Sequence, residues 1–233
     1  MTAHRPSPFP PGFFDRSDPT DDDRFYDAPR LVTHIDDRAI AAVGALYAEL
    51  DLTGDVLDLM SSWISHFVEP PRTLVALGMN EAELAANDMA SDHVVHDLNT
   101  DPTMPFDDER FDAVTCCVSV DYLTRPIEVF REVARVLRPG GVFVCTFSNR
   151  CFPTKAIRGW LMTDDEGHCA IVSTYFAESG MFEPATVDAR PAGAIPLRPR
   201  SMVEQQAHVR SEAPGHSVYA PPVVEPQSAT RIG

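Results

Sequence analysis

Lysine is almost absent from this sequence: among its 19 basic residues only Lys155 is not an arginine. Long hydrophobic runs are absent too. No apolar stretch approaches the roughly 18 residues that a membrane span needs, and Met1-Thr2-Ala3-His4-Arg5-Pro6 lacks the apolar core of a signal peptide. Five cysteines (116, 117, 145, 151 and 169) form no CxxC pair and leave an odd one. That excludes a disulfide framework and suits reduced thiols in a cytoplasm. His93, His96, Cys116 and Cys117 have no spacing that specifies a metal ion, so no metal is expected. Positive charge is scarce, with 19 basic residues against 35 acidic ones and a formal net charge of −16. Residues 1–30 carry −2 and residues 184–233 carry +1, so the acidity sits in the middle. A core that acidic repels phosphate backbones, which argues against nucleic acid and for a small or neutral substrate. The same acidity also reads as a solvated face kept for solubility, and no pattern specifies an oligomeric state.

What is present is an alternating α/β pattern between two proline-rich ends. Fourteen of the 21 prolines lie outside residues 31–183. The expected organisation is a flexible tail over residues 1–30, one folded domain over 31–190 and a disordered tail over 191–233. Thr33 and Asp36 resemble a capping box opening a helix that runs to about Leu50. Val56 to Met60 reads as a strand, followed by a short helix around Trp63 to Phe67 that stops at Pro70-Pro71. Thr73 to Leu77 is a continuous apolar run typical of a buried parallel strand, and Asn80 caps the next helix. Further strands are expected at Val94 to His96, Phe111 to Val118 and Val142 to Phe147. A helix begins at Pro126 and stops at Pro139-Gly140-Gly141. Beyond these lie helices over Phe152 to Met162 and Asp165 to Ser179, the second ended by Gly180, and a sixth strand at Ala185 to Ala189. The pattern predicts a doubly wound, mostly parallel sheet with helices on both faces. A seventh strand is doubtful, because its candidate, Ser217 to Ala220 with Val223-Val224, is split by Pro221-Pro222.

Two segments carry a resemblance. Met104-Pro105-Phe106 leading into Phe111-Asp112-Ala113-Val114, and Val136-Leu137-Arg138-Pro139-Gly140-Gly141, are similar to the "LPF…FD.V" segment and the "LRPGG" turn of class I S-adenosylmethionine (SAM)-dependent methyltransferases of the broad type 11 kind. The resemblance spans about residues 31–190. It implies a Rossmann-like fold, SAM as cofactor and methyl transfer to a small-molecule acceptor. The alternatives are a non-methylating enzyme such as a cyclase, or an interaction scaffold, since a fold does not by itself fix function.

The resemblance also implies where the cofactor sits. Asp58 matches the acid after which the family places Gly-x-Gly-x-Gly, but here Met60, Ser61 and Ser62 occupy those places, a loop similar to a variant Asp-Leu-Met-Ser-Ser-Trp motif of a subgroup. Serines are small and can donate to the cofactor carboxylate; equally, Asp58 and the serines can simply shape a tight turn. The family's ribose-clasping acid aligns with Gly78, followed by Met79 and Asn80, and Asn80 can serve as a partial substitute or only as the helix cap. Asp97, Leu98 and Asn99 resemble the adenine-contacting segment, or else open a loop. Val118 and Ser119, with Tyr122 beyond them, stand where the family places residues beside the sulfonium methyl. Asn149 and Arg150 follow the fifth strand at the ligand edge of the sheet. Tyr122, His34 and His168 are the candidate bases, each histidine being equally a hydrogen-bonded structural one. Cys151 is a candidate substrate-facing thiol or an unengaged one, and Lys155 a functional amine or a leftover of arginine-biased usage.

Overall fold

The computed structural model describes residues 7–190 and 215–220. In chain order the elements are α1 (Asp22–Tyr26), α2 (Asp37–Glu49), β1 (Asp55–Leu59), β2 (Thr73–Gly78), α3 (Glu81–Ala85), β3 (Asp92–Val95) and β4 (Phe111–Cys117). A 3-10 turn at Val120–Tyr122 follows, then α4 (Pro126–Val136), β5 (Leu137–Phe147), α5 (Arg158–Leu161), α6 (Asp165–Ser179), β6 (Thr186–Arg190) and β7 (Gly215–Ala220). They form one seven-stranded sheet in the order β3-β2-β1-β4-β5-β7-β6, in which β7 is antiparallel to both neighbours.

Alternation along the central strands assigns each residue to a face. Val56, Leu74, Ala113 and Val144 pack with Val43, Leu46 and Tyr47 of α2 on one side. Leu57, Val75, Val114 and Phe143 pack with Phe130 and Val133 of α4 and Val172 and Phe176 of α6 on the other. Helices thus cover both faces, as expected. Phe130 meets Phe143 at 4.8 Å and Phe176 at 4.9 Å between ring centroids, edge-on geometries worth roughly 0.5–1.5 kcal/mol each beyond the area they bury.

The amino edge of the sheet is closed by charge. Arg72 and Arg138 each bridge Asp55 and Asp112 at 2.7–3.0 Å, and both carboxylates are held below their usual range, Asp55 first by Arg72 and Asp112 first by the Asp55 backbone N–H. The Met104-Pro105-Phe106 segment is stapled by Arg135, which donates to the carbonyls of Met104 and Phe106 at 3.0 and 2.8 Å. The Pro139-Gly140-Gly141 turn lies inside β5, where Gly140 takes a φ of +82° that favours glycine.

Five expectations are corrected. Residues 7–30 are not a loose tail: Phe9 and Phe14 lie 5.5 and 6.2 Å from the Tyr175 ring, and the Gly159 N–H donates to the Phe13 carbonyl at 2.9 Å. These aromatics find partners about 150 positions away, beyond the reach of a local pattern. The seventh strand forms, because the stretch that precedes Pro221 contributes the pairing and the proline lies just beyond it. Residues 215–220 therefore belong to the sheet; Val223-Val224 and the rest of the expected tail lie outside the described residues. The helix cap is Asp36, not Thr33, its carboxylate accepting from Arg38 and Ala39 N–H. The helix over 152–162 contracts to α5, because the Ile157, Arg158 and Gly159 N–H groups donate to the distant carbonyls of Asp121, Asp15 and Phe13 and not to a preceding turn. No helix follows β1, where side-chain hydrogen bonds replace helical ones.

Candidate functional site

The loop after β1 is organised by Asp58. Its carboxylate, 5% exposed, accepts from Ser61 Oγ at 2.7 Å, Ser65 Oγ at 2.5 Å and Thr115 Oγ1 at 2.8 Å. Asn87 Nδ2 donates to the Ser62 carbonyl and to Ser65 Oγ, both at 3.0 Å. The loop is thus held from β4 and from beyond α3 without the glycines the resemblance implied. Met60 takes a φ of +53°, and Val118, at the end of neighbouring β4, a φ of +47°. Left-handed backbone at a β-branched residue is strained, and such strain gathers at functional sites. Ser119 Oγ links these two turns, donating toward the carbonyls of Met60 at 3.3 Å and Cys117 at 3.0 Å.

At the end of β2 a side chain has no room. The Ser61 N–H donates to the Leu77 carbonyl at 2.7 Å, which lays the loop across β2, and a Cβ on Gly78 would stand 2.2 Å from the Ser61 carbonyl oxygen. The amide of Asn80 is fully engaged: Oδ1 accepts from the Glu83 N–H, and Nδ2 donates to the Tyr26 and Asp27 carbonyls. Beside it stands Glu83 of α3, whose Oε2 accepts from Ser62 Oγ and whose Oε1 accepts from the Arg30 N–H, both at 2.6 Å.

Beyond β3, Asp97 accepts from the Asn99 N–H and Thr100 Oγ1. Asn99 donates to Asp22 Oδ2 and the Tyr122 carbonyl, and accepts from Thr124. Asp22, 5% exposed, also accepts from Arg16 Nη1 through both carboxylate oxygens, at 2.7 and 2.8 Å. Burial raises its pKa, but Arg16 and Asn99 outweigh this and hold the carboxyl below its usual range. Lys155 completes the cluster. Wholly buried, its ammonium donates to the Thr20 carbonyl at 2.6 Å and lies 3.2 Å from Asp22 and 3.3 Å from Asp18. The single lysine pins residues 18–22 over the edge of the sheet.

These strand ends enclose a cavity of about 680 Å³, within the range of small-molecule sites. Its lining brings together Asp58, Met60, Ser61, Ser62, Gly78, Met79, Asn80, Asp97, Leu98, Asn99, Val118 and Ser119, together with Tyr122, Asn149, Arg150 and His34. His168 is not brought there. Its ring stacks on Trp160 at 3.9 Å and its Nε2 meets the Trp160 carbonyl at 3.0 Å, so it faces a separate recess near the start of α6. Sequence reasoning missed Asp22, Tyr26, Arg30, His66 and Glu83, which line the cavity as well. Phe25-Tyr26 beside Arg30 was the available signal for the first three; Glu83 read as half of a helix cap, and His66 fell in a helix that does not form.

Burial favours the neutral form of two histidines, a phenol, a thiol and one carboxyl group in and beside the cavity. His34 and His66 are both lowered, first by desolvation, with Glu83 and Asp58 respectively opposing it. The Tyr122 phenol is raised, first by burial, and its oxygen accepts from the Phe152 N–H at 2.8 Å. The Cys151 thiol is pushed up by burial and by Asp121. Asp121 itself, just beneath the cavity wall, is pushed up to about 8 by desolvation. Among the described residues no group of three His, Cys, Asp or Glu side chains is gathered to hold a metal ion, and no helix is long and apolar enough to cross a membrane.

Comparison with known proteins agrees with this geometry. Residues 53–145 match the methyltransferase domain family. The chain is similar to a demethylmenaquinone methyltransferase of Clavibacter sepedonicus, 37% identical over 73 residues that make up 30% of each chain. It is also similar to a ubiquinone/menaquinone biosynthesis C-methyltransferase of Pseudomonas fluorescens (strain Pf0-1), 32% identical over 46% of this chain and 43% of that one. The match spans less than half the length of these curated relatives. An S-adenosylmethionine dependent methyltransferase structure from Mesorhizobium loti shares the fold, with a TM-score of 0.50, 18% identity, and coverage of 78% of this chain and 97% of that one. Residues 53–145 thus match the methyltransferase domain family, and the sheet they help build has the fold of a SAM-dependent methyltransferase structure.

Proposed function

We propose that the protein transfers the methyl group of SAM to a small-molecule acceptor. The observation that carries this reading is the convergence of the β1, β2, β3 and β4 ends on one cavity of about 680 Å³ at the carboxyl edge of the sheet, the place where ligands collect in open α/β folds. The residues present fit such a cofactor. Ser61 and Ser62 supply hydroxyls near the β1 turn, and Ser62 with Glu83 forms a polar wall beside Gly78, where the Ser61 backbone leaves no space for an acid. Asp97 and Leu98 offer an acceptor and an apolar surface for a base.

When bound, SAM supplies a methyl group on an activated sulfonium, so the protein's task is in-line positioning. The turns at Met60 and Val118 hold the two central strand ends rigidly against each other through Ser119. Residues 18–30 roof the cavity and exclude water. His34 and His66, neutral near pH 7, are able to take a proton from an acceptor. Tyr122 stays protonated and positions Phe152. The acidic surface favours a small acceptor over nucleic acid, and five free cysteines suit a reducing cytoplasm.

Calorimetric titration of SAM and S-adenosylhomocysteine tests the reading, followed by a screen of thiols, phenols and carboxylates with labelled SAM. Micromolar binding of both nucleosides with label transfer supports it. Binding without transfer to any acceptor class leaves a non-methylating enzyme, and no binding at millimolar ligand leaves a scaffold.

A further inference from the structure

We propose that Arg30 is the anion-receiving group of this cavity and that it takes a carboxylate. The assignment rests on the SAM reading above and names the chemistry of one ligand group within the same site.

Arg30 closes the segment that roofs the cavity and lines it. Its backbone is fixed by the N–H bond to Glu83 Oε1 at 2.6 Å. Its guanidinium is fixed by Nη2, which donates to the Phe25 carbonyl at 2.6 Å. Three rings surround the charge, with the guanidinium carbon 4.5 Å from the Phe25 centroid, 5.7 Å from Phe152 and 5.9 Å from Tyr26. Nη1 is shut off from solvent and has no hydrogen-bond partner among the described residues. A buried charged donor left without an acceptor is unfavourable, and a group in that state calls for a missing partner.

The surrounding acids do not provide one. Asp22 is taken by Arg16, Asn99 and Lys155, Asp58 by three hydroxyls and Asp97 by Asn99 and Thr100. Glu83 holds the Arg30 backbone and Ser62. Each carboxylate on the wall already has donors from the chain, whereas Arg30 Nη1 has none to serve. The unmet capacity of the cavity is therefore positive and donating. A guanidinium matches a carboxylate in charge and in its forked geometry, and the aromatic rings keep it from swinging to solvent. The carboxylate has two sources, the amino-acid end of the cofactor or the acceptor molecule.

Binding to the full chain separates them. S-Adenosylhomocysteine and 5′-methylthioadenosine are the same nucleoside thioether with and without an amino-acid carboxylate; benzoate and benzyl alcohol, titrated into the S-adenosylhomocysteine complex, differ likewise. If the cofactor supplies the anion, Arg30→Gln weakens S-adenosylhomocysteine about 10- to 100-fold and leaves methylthioadenosine unchanged. If the acceptor supplies it, Arg30→Gln spares both nucleosides and abolishes the preference for benzoate over benzyl alcohol. Arg30→Lys, which keeps charge but loses the fork, should recover part of the lost affinity and serves alone if the glutamine variant does not fold. Folded variants that bind S-adenosylhomocysteine and benzoate within twofold of the wild type overturn the assignment. A wild-type protein that binds neither nucleoside overturns the methyltransferase reading instead.

Discussion

The carbonyl oxygen of Ser61 occupies the position into which a side chain on Gly78 would project, only 2.2 Å from where its Cβ would be. The missing glycines after β1 and the missing acid after β2 are therefore one structural change. A loop that crosses β2 to pair with Leu77 leaves no place for the acid, and Glu83 reaches the same wall from α3.

Adding even a methyl at that point forces the loop aside. Gly78→Ala is expected to lower stability by about 1–3 kcal/mol, the usual range for overpacking, and Gly78→Asp by more. Thermal unfolding checks this. A Gly78→Asp protein melting at the wild-type temperature would show that the loop does not lie across β2.

Lys155 holds residues 18–22 onto the domain from a fully buried position. Lys155→Met leaves Asp22 with Arg16 and Asn99 only, and should cost about 3 kcal/mol, as breaking a buried ion pair does. Proteolysis should then cut first within residues 7–30. Equal cutting rates in wild type and variant would remove the anchoring role.

Asp121 keeps its proton up to about pH 8 because burial disfavours the charge, and its Oδ2 has no hydrogen-bond partner among the described residues. Its folded pKa lies above the unfolded value, so the stability it permits is full in acid and declines as pH rises toward 8. Asp121→Asn, which cannot ionise, should raise the melting temperature at pH 8 by roughly 2–4 °C or more, corresponding to at least about 1 kcal/mol. The gain should shrink toward pH 4. A gain that is the same at both pH values would mean that Asp121 is ionised in the fold.

His34 and His66 are shifted the other way, below the ordinary histidine value. The unfolded chain then takes up protons first, and the stability tied to their neutrality is present at neutral pH and lost as pH falls. Protonated imidazoles would also repel a sulfonium. SAM affinity should fall in acid more steeply than that of S-adenosylhomocysteine, and His34→Gln with His66→Gln together should flatten the difference. Parallel pH profiles for the two ligands in the wild type would exclude both residues from the sulfonium's surroundings.

Much of the fold was readable because it depends on short-range patterns. Leu74 to Leu77 is apolar throughout and buried throughout; Pro126 starts α4 and Gly180 ends α6 at a φ of +70°. Most of the cavity lining was readable too, since a parallel sheet delivers its strand ends to one edge, and the residues at those ends can be counted along the chain. The helix expected around Trp63 to Phe67 was misjudged because its spacing is apolar while its serines bond to Asp58, which a hydropathy pattern does not register.

The sequence by itself determined the alternation of strands and helices, the Met104-Pro105-Phe106 motif and the absence of glycines after Asp58. Tertiary structure alone decided that residues 7–30 pack on the domain and that Asp22, Tyr26 and Arg30 line the cavity, that β7 enters between β5 and β6, and that the one lysine is an anchor. Lys155 meets Thr20 across 135 positions, and Asn99 meets Asp22 across 77. Contacts at such separation depend on where the folded sheet carries each segment, and no local pattern of charge or hydropathy contains that information.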